Sequence, residues 1–324
     1  MDLTILIPTF KRESQFKNLL EYYSKLNFKG QLLIGEGSNK TTFNKKKKFI
    51  KEFNNINVKY VYAPGLVFQT IKSIAKKIKT NYVVFSGDDD YLVTKNIDNF
   101  ITFLKKNPKY SGVFGNACNI EINNKLIFGQ GIYKFKINKK TDPFKRINFH
   151  LSTKNYTVNI FAIQKNKTFQ RMLNYCVDKK SEFKCPHRAI SEEMLPTSIL
   201  SVFGRYSYIN KFYLIRTIGH ERIIQKKNFN SSKGKLSVDY LYNSLTKIIK
   251  KKYHKNLKKT VHNYFLKEYG QKKNLSLQTF KNTFYYYLKI FFPNILSNLY
   301  EIKYFNNFYR NYVKKNILNS ISDN

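Results

Sequence analysis

Residues 81–92 read NYVVFSGDDDYL, an apolar, β-branched run that ends in Ser86-Gly87 and then three consecutive carboxylates, Asp88, Asp89 and Asp90. Length and composition predict a strand that stops at Gly87. The same grammar occurs three times upstream. LTILIP (3–8) leads through Thr9 and Phe10 into a stretch with Phe16, Leu19, Leu20 and Tyr23 at helical spacing. QLLIGEG (31–37) precedes a Lys-rich helix near 42–54, and VKYVYA (58–63) precedes a helix over 67–79. After the triplet the spacing predicts a further helix over 95–106. Alternating strands and helices predict an α/β fold around a mostly parallel, Rossmann-like sheet flanked by helices. In such a sheet ligands bind in the crevice outside the strand carboxyl ends. Three loops fall at that edge: Pro8-Thr9-Phe10, Gly35-Glu36-Gly37-Ser38 and Ser86 to Asp90.

Downstream the pattern changes. SGVFGNACNIEI and KLIFGQGIYKF, separated by Asn123-Asn124, read as an antiparallel hairpin over 111–135. Residues 142–225 mix helical stretches with two predicted strands, TVNIFAIQ and YSYINKFYLIRTI, and complete the first domain, 1–225. A polar stretch, KKNFNSSKGK, then opens a basic, aromatic and helical region, 226–324.

The chain has 324 residues, with 59 Lys+Arg against 20 Asp+Glu and a net charge of +39. Such a field favours anionic partners. Lys, Asn and Tyr are abundant throughout, so part of this charge is compositional bias. Cys118, Cys176 and Cys185 make no disulfide framework, which suits a reducing compartment and predicts a cytoplasmic protein. MDLTILIPTFKRES has an acidic residue at position 2 and only a short apolar run, unlike a secretory signal. The most apolar stretch elsewhere, TFYYYLKIFF (283–292), is short of the ~18 to 20 residues of a membrane span and contains Lys289.

Three adjacent carboxylates at a strand end repel one another and call for a cation. Mg²⁺ and Mn²⁺ take one or two carboxylates together with phosphate oxygens. Asp90 and Asp88 are therefore the expected metal ligands, Mn²⁺ or Mg²⁺ the expected cofactor, and a nucleotide diphosphate the expected ligand. Asp88 and Asp89 would also border the ribose and phosphates. Glu36 could accept a hydrogen bond from a base N–H or a ribose hydroxyl. An acidic turn capping the next helix would also account for the triplet alone, but acids are scarce in this chain.

In order and spacing, LTILIPTFKR, IGEGSN (34–39) and VVFSGDDDYL (83–92) resemble glycosyltransferase family 2. The resemblance covers roughly the part of the chain read as the first domain, and it implies a GT-A fold and a nucleotide-diphospho-sugar donor. It places Pro8, Thr9, Glu36, Asp88 and Asp89 on that donor and the metal on the Asp-x-Asp of the triplet. The family keeps Asp-Asp-Gly-Ser at its second motif; here Glu36 stands at the base-contacting Asp, and Gly35 replaces the Asp before it. The family's general base, an acid at a helix start well downstream, corresponds to Glu193, or to its neighbour Glu192, in AISEEMLP. This implies inverting transfer to a hydroxyl of a glycan or lipid-linked acceptor, as in surface-polysaccharide assembly. The chain contains no Trp, so it lacks the family's Gln-x-x-Arg-Trp motif, and non-processive transfer is implied.

Arg205, Arg216, His220 and Arg222 are candidates to neutralise a departing diphosphate. A nucleotidyltransferase also pairs carboxylates with Mg²⁺, but PTFKRES lacks that class's glycine-rich loop. A degenerate GT-A domain that only binds a nucleotide sugar is the non-enzymatic alternative, and Gly35 is its motive. The tail has two readings: a basic amphipathic surface for anionic membrane at the inner face, or a bundle packed on the catalytic domain. Nucleic acid is not an expected partner, because no recognisable binding module is present.

Overall fold

The computed structural model describes residues 1–123, 126–133, 140–152, 159–176, 190–218, 232–269, 312 and 315–317. Its strands are β1 (Leu3–Thr9), β2 (Gln31–Glu36), β3 (Asn57–Tyr62), β4 (Tyr82–Phe85), β5 (Asp90–Leu92), β6 (Tyr110–Asn123), β7 (Leu126–Tyr133), β8 (Ile163–Lys165) and β9 (Arg205–Ile218). The helices are α1 (Glu13–Lys25), α2 (Lys40–Ile50), α3 (Val67–Ala75), α4 (Ile97–Lys106), α5 (Pro143–Ser152), α6 (Asn166–Cys176), α7 (Leu195–Phe203), α8 (Ser232–Thr246) and α9 (His254–Tyr269). One sheet runs β3-β2-β1-β4-β8-β6-β9-β5, with β7 paired to β6.

The expected α/β architecture is what forms. β3, β2, β1 and β4 are parallel, and the central β1 is covered on both faces, so Leu3, Ile5, Leu6 and Ile7 are all fully buried. α1 turns Phe16, Leu19, Leu20 and Tyr23 onto this sheet, which is the periodicity the sequence shows. The register sets Thr9 beside Glu36 and Leu6 beside Phe85, and the Ser86 N–H donates to the Leu6 carbonyl at 3.0 Å. Three strand carboxyl ends therefore meet at one edge.

The second half of the sheet is less legible in the sequence. Asp90 does not belong to a loop; it starts β5, antiparallel to β9, with Asp90 opposite Arg216. A three-residue strand has no periodicity of its own and exists only through this distant pairing. TVNIFAIQ gives a single 3₁₀ turn at Asn159–Phe161 and then the short β8, inserted antiparallel between β4 and β6. The predicted hairpin forms as β6 and β7, and YSYINKFYLIRTI forms β9, parallel to β6.

α8 and α9 pack on α7 and α5 respectively, and Leu241, Leu245, Leu257, Val261 and Tyr264 continue the core. Tyr312 is also buried: its hydroxyl lies 2.8 Å from that of Tyr22 and accepts from the Thr94 N–H at 3.1 Å. Lys250, Lys251, Lys252, Lys255, Lys258 and Lys259 line the start of α9 and are exposed. Among the described residues no helix is long and apolar enough to cross a membrane.

Candidate active site

Glu36 ends β2 and is fully buried. Its carboxylate is saturated. Oε1 accepts from the Ser38 N–H at 3.1 Å and the Ser38 hydroxyl at 2.6 Å; Oε2 accepts from Lys46 Nζ at 2.9 Å and the Tyr60 hydroxyl at 2.8 Å. Burial by itself would raise this carboxyl, but the donors from Ser38, Lys46 and Tyr60, with the Lys46 charge, hold it below the usual carboxylate range. Lys46 has no exposed surface either; its ammonium also donates to Thr9 Oγ1 at 3.0 Å and lies 5.1 Å from the centre of the Phe16 ring. A buried ion pair is tolerated only when its remaining hydrogen-bonding capacity is met in this way.

The structure also accounts for Gly35. A Cβ there would come within 2.6 Å of Thr70 Cγ2 and 2.9 Å of Ile74 Cδ1. α3 lies directly on the β2 backbone, and an Asp in this position would have no room.

Thr9 joins Glu36 to the acidic triplet. Its hydroxyl accepts from Lys46 and donates to Asp88 Oδ2 at 2.8 Å. Arg12 closes the other side, one nitrogen, Nη1, donating to Asp88 Oδ1 at 2.9 Å and to Asp89 Oδ2 at 2.8 Å. Lys11, just before it, has a φ of 63°, a left-handed conformation costly for a side-chain-bearing residue and typical of functional loops. Gly87 makes space for the triplet, since a Cβ would meet Asp89 Oδ1 at 2.8 Å.

Asp90 is buried, with Oδ2 3.5 Å from Arg216 Nε, and the Arg216 guanidinium sits 4.7 Å from the centre of the Phe161 ring. Burial pushes the Asp90 carboxyl up to about 6, with Asp89 and Asp88 adding to the effect and Arg216 opposing it. Asp88 is raised for the same first reason, then by Asp89, against the pull of Arg12 and Thr9. The Thr217 hydroxyl holds the Asp89 carbonyl at 2.6 Å, which anchors the turn to β9.

The structure thus brings Thr9, Glu36, Asp88 and Asp89 into one chain of alternating charge, Glu36–Lys46–Thr9–Asp88–Arg12–Asp89, with Asp90 alongside on β5. Pro8 lies opposite Gly35 in the ladder at the same edge. Glu192 and Glu193 are carried by a different element, a π-helical turn over Ile190–Met194 that leads into α7; both are half-buried. The turn packs against α7 and α8. The four basic candidates do not act together. Arg216 meets Asp90, Arg205 starts β9 at the opposite end of that strand, and His220 and Arg222 lie outside the described residues.

The sequence gives no site role to Arg12, Lys46 or Tyr60, and it puts Ser38 in the edge loop without one. For Lys46 a signal exists. Within the run Lys45 to Lys48, only Lys46 has Phe43, Phe49 and Ile50 all three or four positions away along the helix, and only Lys46 is buried. Nothing local marks Tyr60 or Arg12, which reach the site through β3 pairing and the turn at Lys11.

Among the described residues no group of three His, Cys, Asp or Glu side chains forms a ready-made metal cage. The donor set nevertheless suits Mg²⁺ or Mn²⁺. These ions need only one or two carboxylates when phosphate oxygens and water supply the rest, and the buried, crowded Asp88 and Asp90 carry charge that a cation would relieve.

The structure is an α/β fold whose mixed sheet carries acids at the carboxyl end of β2 and just beyond β4. No protein-family model matches the chain, and no curated protein matches it in sequence. Among solved structures it is similar to TarS of S. aureus, with a TM-score of 0.54 at 16% identity over 82% of this chain. The match spans 44% of that TarS chain, less than half its length. Residues 1–349 of TarS in complex with UDP-GlcNAc give a TM-score of 0.53 at 14% identity, covering 82% of this chain and 73% of that one. The same piece with UDP gives 0.51 at 12% identity, covering 99% and 89%. At these identities the likeness is one of fold.

Proposed function

We propose that the protein is a glycosyltransferase of the GT-A, family 2 type that moves a sugar from a nucleotide-diphosphate donor to an acceptor hydroxyl, non-processively and with inversion. The observation that carries this reading is the convergence of Thr9, Glu36, Asp88 and Asp89, from three adjacent strand ends, into one charge-alternating network, with Asp90 alongside on β5. The fold shared with TarS, crystallised with UDP-GlcNAc and with UDP, supports a nucleotide-sugar donor.

In this reading Asp90 and Asp88 hold Mn²⁺ or Mg²⁺, which when bound neutralises charge on the diphosphate leaving group. Arg216, on the next strand, adds a second positive charge at the same end. Glu36 is engaged by four donors, so its contribution to base recognition is the shape and position of the β2 end, with Pro8 and Thr9 forming the neighbouring wall. Glu193 takes the acceptor proton, with Glu192 as the alternative; a carboxylate does this from within hydrogen-bond reach of the hydroxyl. The acceptor is a glycan or a lipid-linked sugar, and the Lys-rich start of α9 is the surface that would meet an anionic inner-membrane face.

The test is a melting-temperature panel of UDP-, GDP-, CMP- and dTDP-sugars with and without Mn²⁺, followed by transfer assays. One donor should raise the melting point only with Mn²⁺ present. Glu193→Gln should then lose nearly all turnover with donor affinity close to wild type. No stabilisation by any donor would overturn the reading, and an active Glu193→Gln beside an inactive Glu192→Gln would reverse the pair.

A further inference from the structure

The acidic triplet carries its own counter-ion, and the way it is held is informative. Each Asp88 carboxylate oxygen accepts one donor, Thr9 on Oδ2 and Arg12 on Oδ1, where each oxygen of Glu36 accepts two. A cation that approaches Asp88 and Asp89 therefore meets the Arg12 charge already held between them. Arg12 grips both acids through a single nitrogen, without the two parallel bonds that make an Arg–carboxylate fork strong. Its side chain is 41% exposed whereas that of Asp88 is 6% exposed, so the pair has a fixed inner partner and an outer one free to move. A guanidinium and a divalent cation at the same carboxylates also repel each other, whereas a phosphate presents oxygens that match the guanidinium fork.

We infer that Arg12 is the resident counter-ion of Asp88 and Asp89 and exchanges them for diphosphate oxygens when the site is loaded, so that the triplet holds a divalent cation firmly only together with a diphosphate. The inference rests on the donor and metal reading above. It makes Arg12 a positioning residue that couples two binding events, and by linkage the coupling is the same from either side.

The test is Mn²⁺ binding to the intact protein, followed by electron paramagnetic resonance and calorimetry, alone and with UDP as a diphosphate probe. Wild type should bind Mn²⁺ weakly alone and much more tightly with UDP. Arg12→Gln should bind Mn²⁺ alone about tenfold or more tighter, because a charge-assisted competitor is gone. The factor by which UDP tightens Mn²⁺ should fall by a similar ratio. Arg12→Lys, which keeps the charge without the fork, should bind Mn²⁺ alone as weakly as wild type and still lose most of the coupling. It also decides the matter if Arg12→Gln proves unstable. Asp90→Asn should abolish binding in either background, which assigns the signal to this site. If Arg12→Gln and wild type bind Mn²⁺ equally and UDP tightens both, Arg12 is a static strut and the inference fails while the donor reading stands. If neither protein binds Mn²⁺ or UDP, both fall.

Discussion

Lys46→Met removes one half of an ion pair whose partners both have no exposed surface. Leaving a buried charge uncompensated costs about 3–5 kcal/mol. Glu36 would keep three donors, from the Ser38 N–H, the Ser38 hydroxyl and Tyr60, which argues for the lower end, about 3 kcal/mol. For a chain of 324 residues that corresponds to a fall of about 4 °C in melting temperature. The sign of the pH dependence follows from Glu36. In the wild type its carboxyl is held below the usual range, so its contribution to stability is present above the ordinary carboxylate value and lost only as pH falls through the lowered one. Without Lys46, burial dominates and pushes the carboxyl up. The penalty should therefore be larger at pH 8 than at pH 5, where Glu36 can take a proton. Adding Glu36→Gln removes the stranded charge and should recover about 2 kcal/mol at pH 8, a strong coupling for a contacting pair. Urea unfolding of wild type, both single variants and the double variant at the two pH values measures all of this. A Lys46→Met protein within about 1 kcal/mol of wild type at pH 8 would refute the reasoning. So would a double variant no more stable than the single one.

Asp90 behaves in the opposite sense. Its folded value is raised to about 6, so the stability it provides is present at low pH and lost as pH rises through that value. In EDTA, Asp90→Asn should be more stable than wild type by an amount of order 3 kcal/mol at pH 8 and should match wild type at pH 4; the same variant should lose Mn²⁺-dependent transfer. Equal melting at both pH values would contradict the assignment of burial and crowding as the cause. For the exposed lysines of α9, flotation with anionic vesicles should capture the protein at low salt and release it as salt rises, each Lys contributing ~1 kcal/mol near the surface. Binding that ignores salt, or equal binding to neutral vesicles, would show that this charge has no membrane role.

The alternation of apolar runs and amphipathic stretches over the first 106 residues determined the parallel half of the sheet, because each of those elements announces its own periodicity. It also determined the edge at which Thr9, Glu36 and Asp88 meet, since parallel strands in a βα succession bring their carboxyl ends to the same side. Local periodicity could not reveal β5, nor that the strand predicted over TVNIFAIQ would be confined to the short β8; both depend on β9 and the strands flanking β8 to complete their hydrogen bonding. The charge pairing of the site was legible only in part. Lys45, Lys46, Lys47 and Lys48 are identical in sequence, yet one is the buried partner of Glu36 and the other three face water. A run of lysines reports composition, whereas the phase of α2 against α1 and β3, marked by Phe43, Phe49 and Ile50, decides which of them is desolvated. Arg12 and Tyr60 acquire their roles through contacts between segments far apart in the chain, and that is information only the tertiary structure holds.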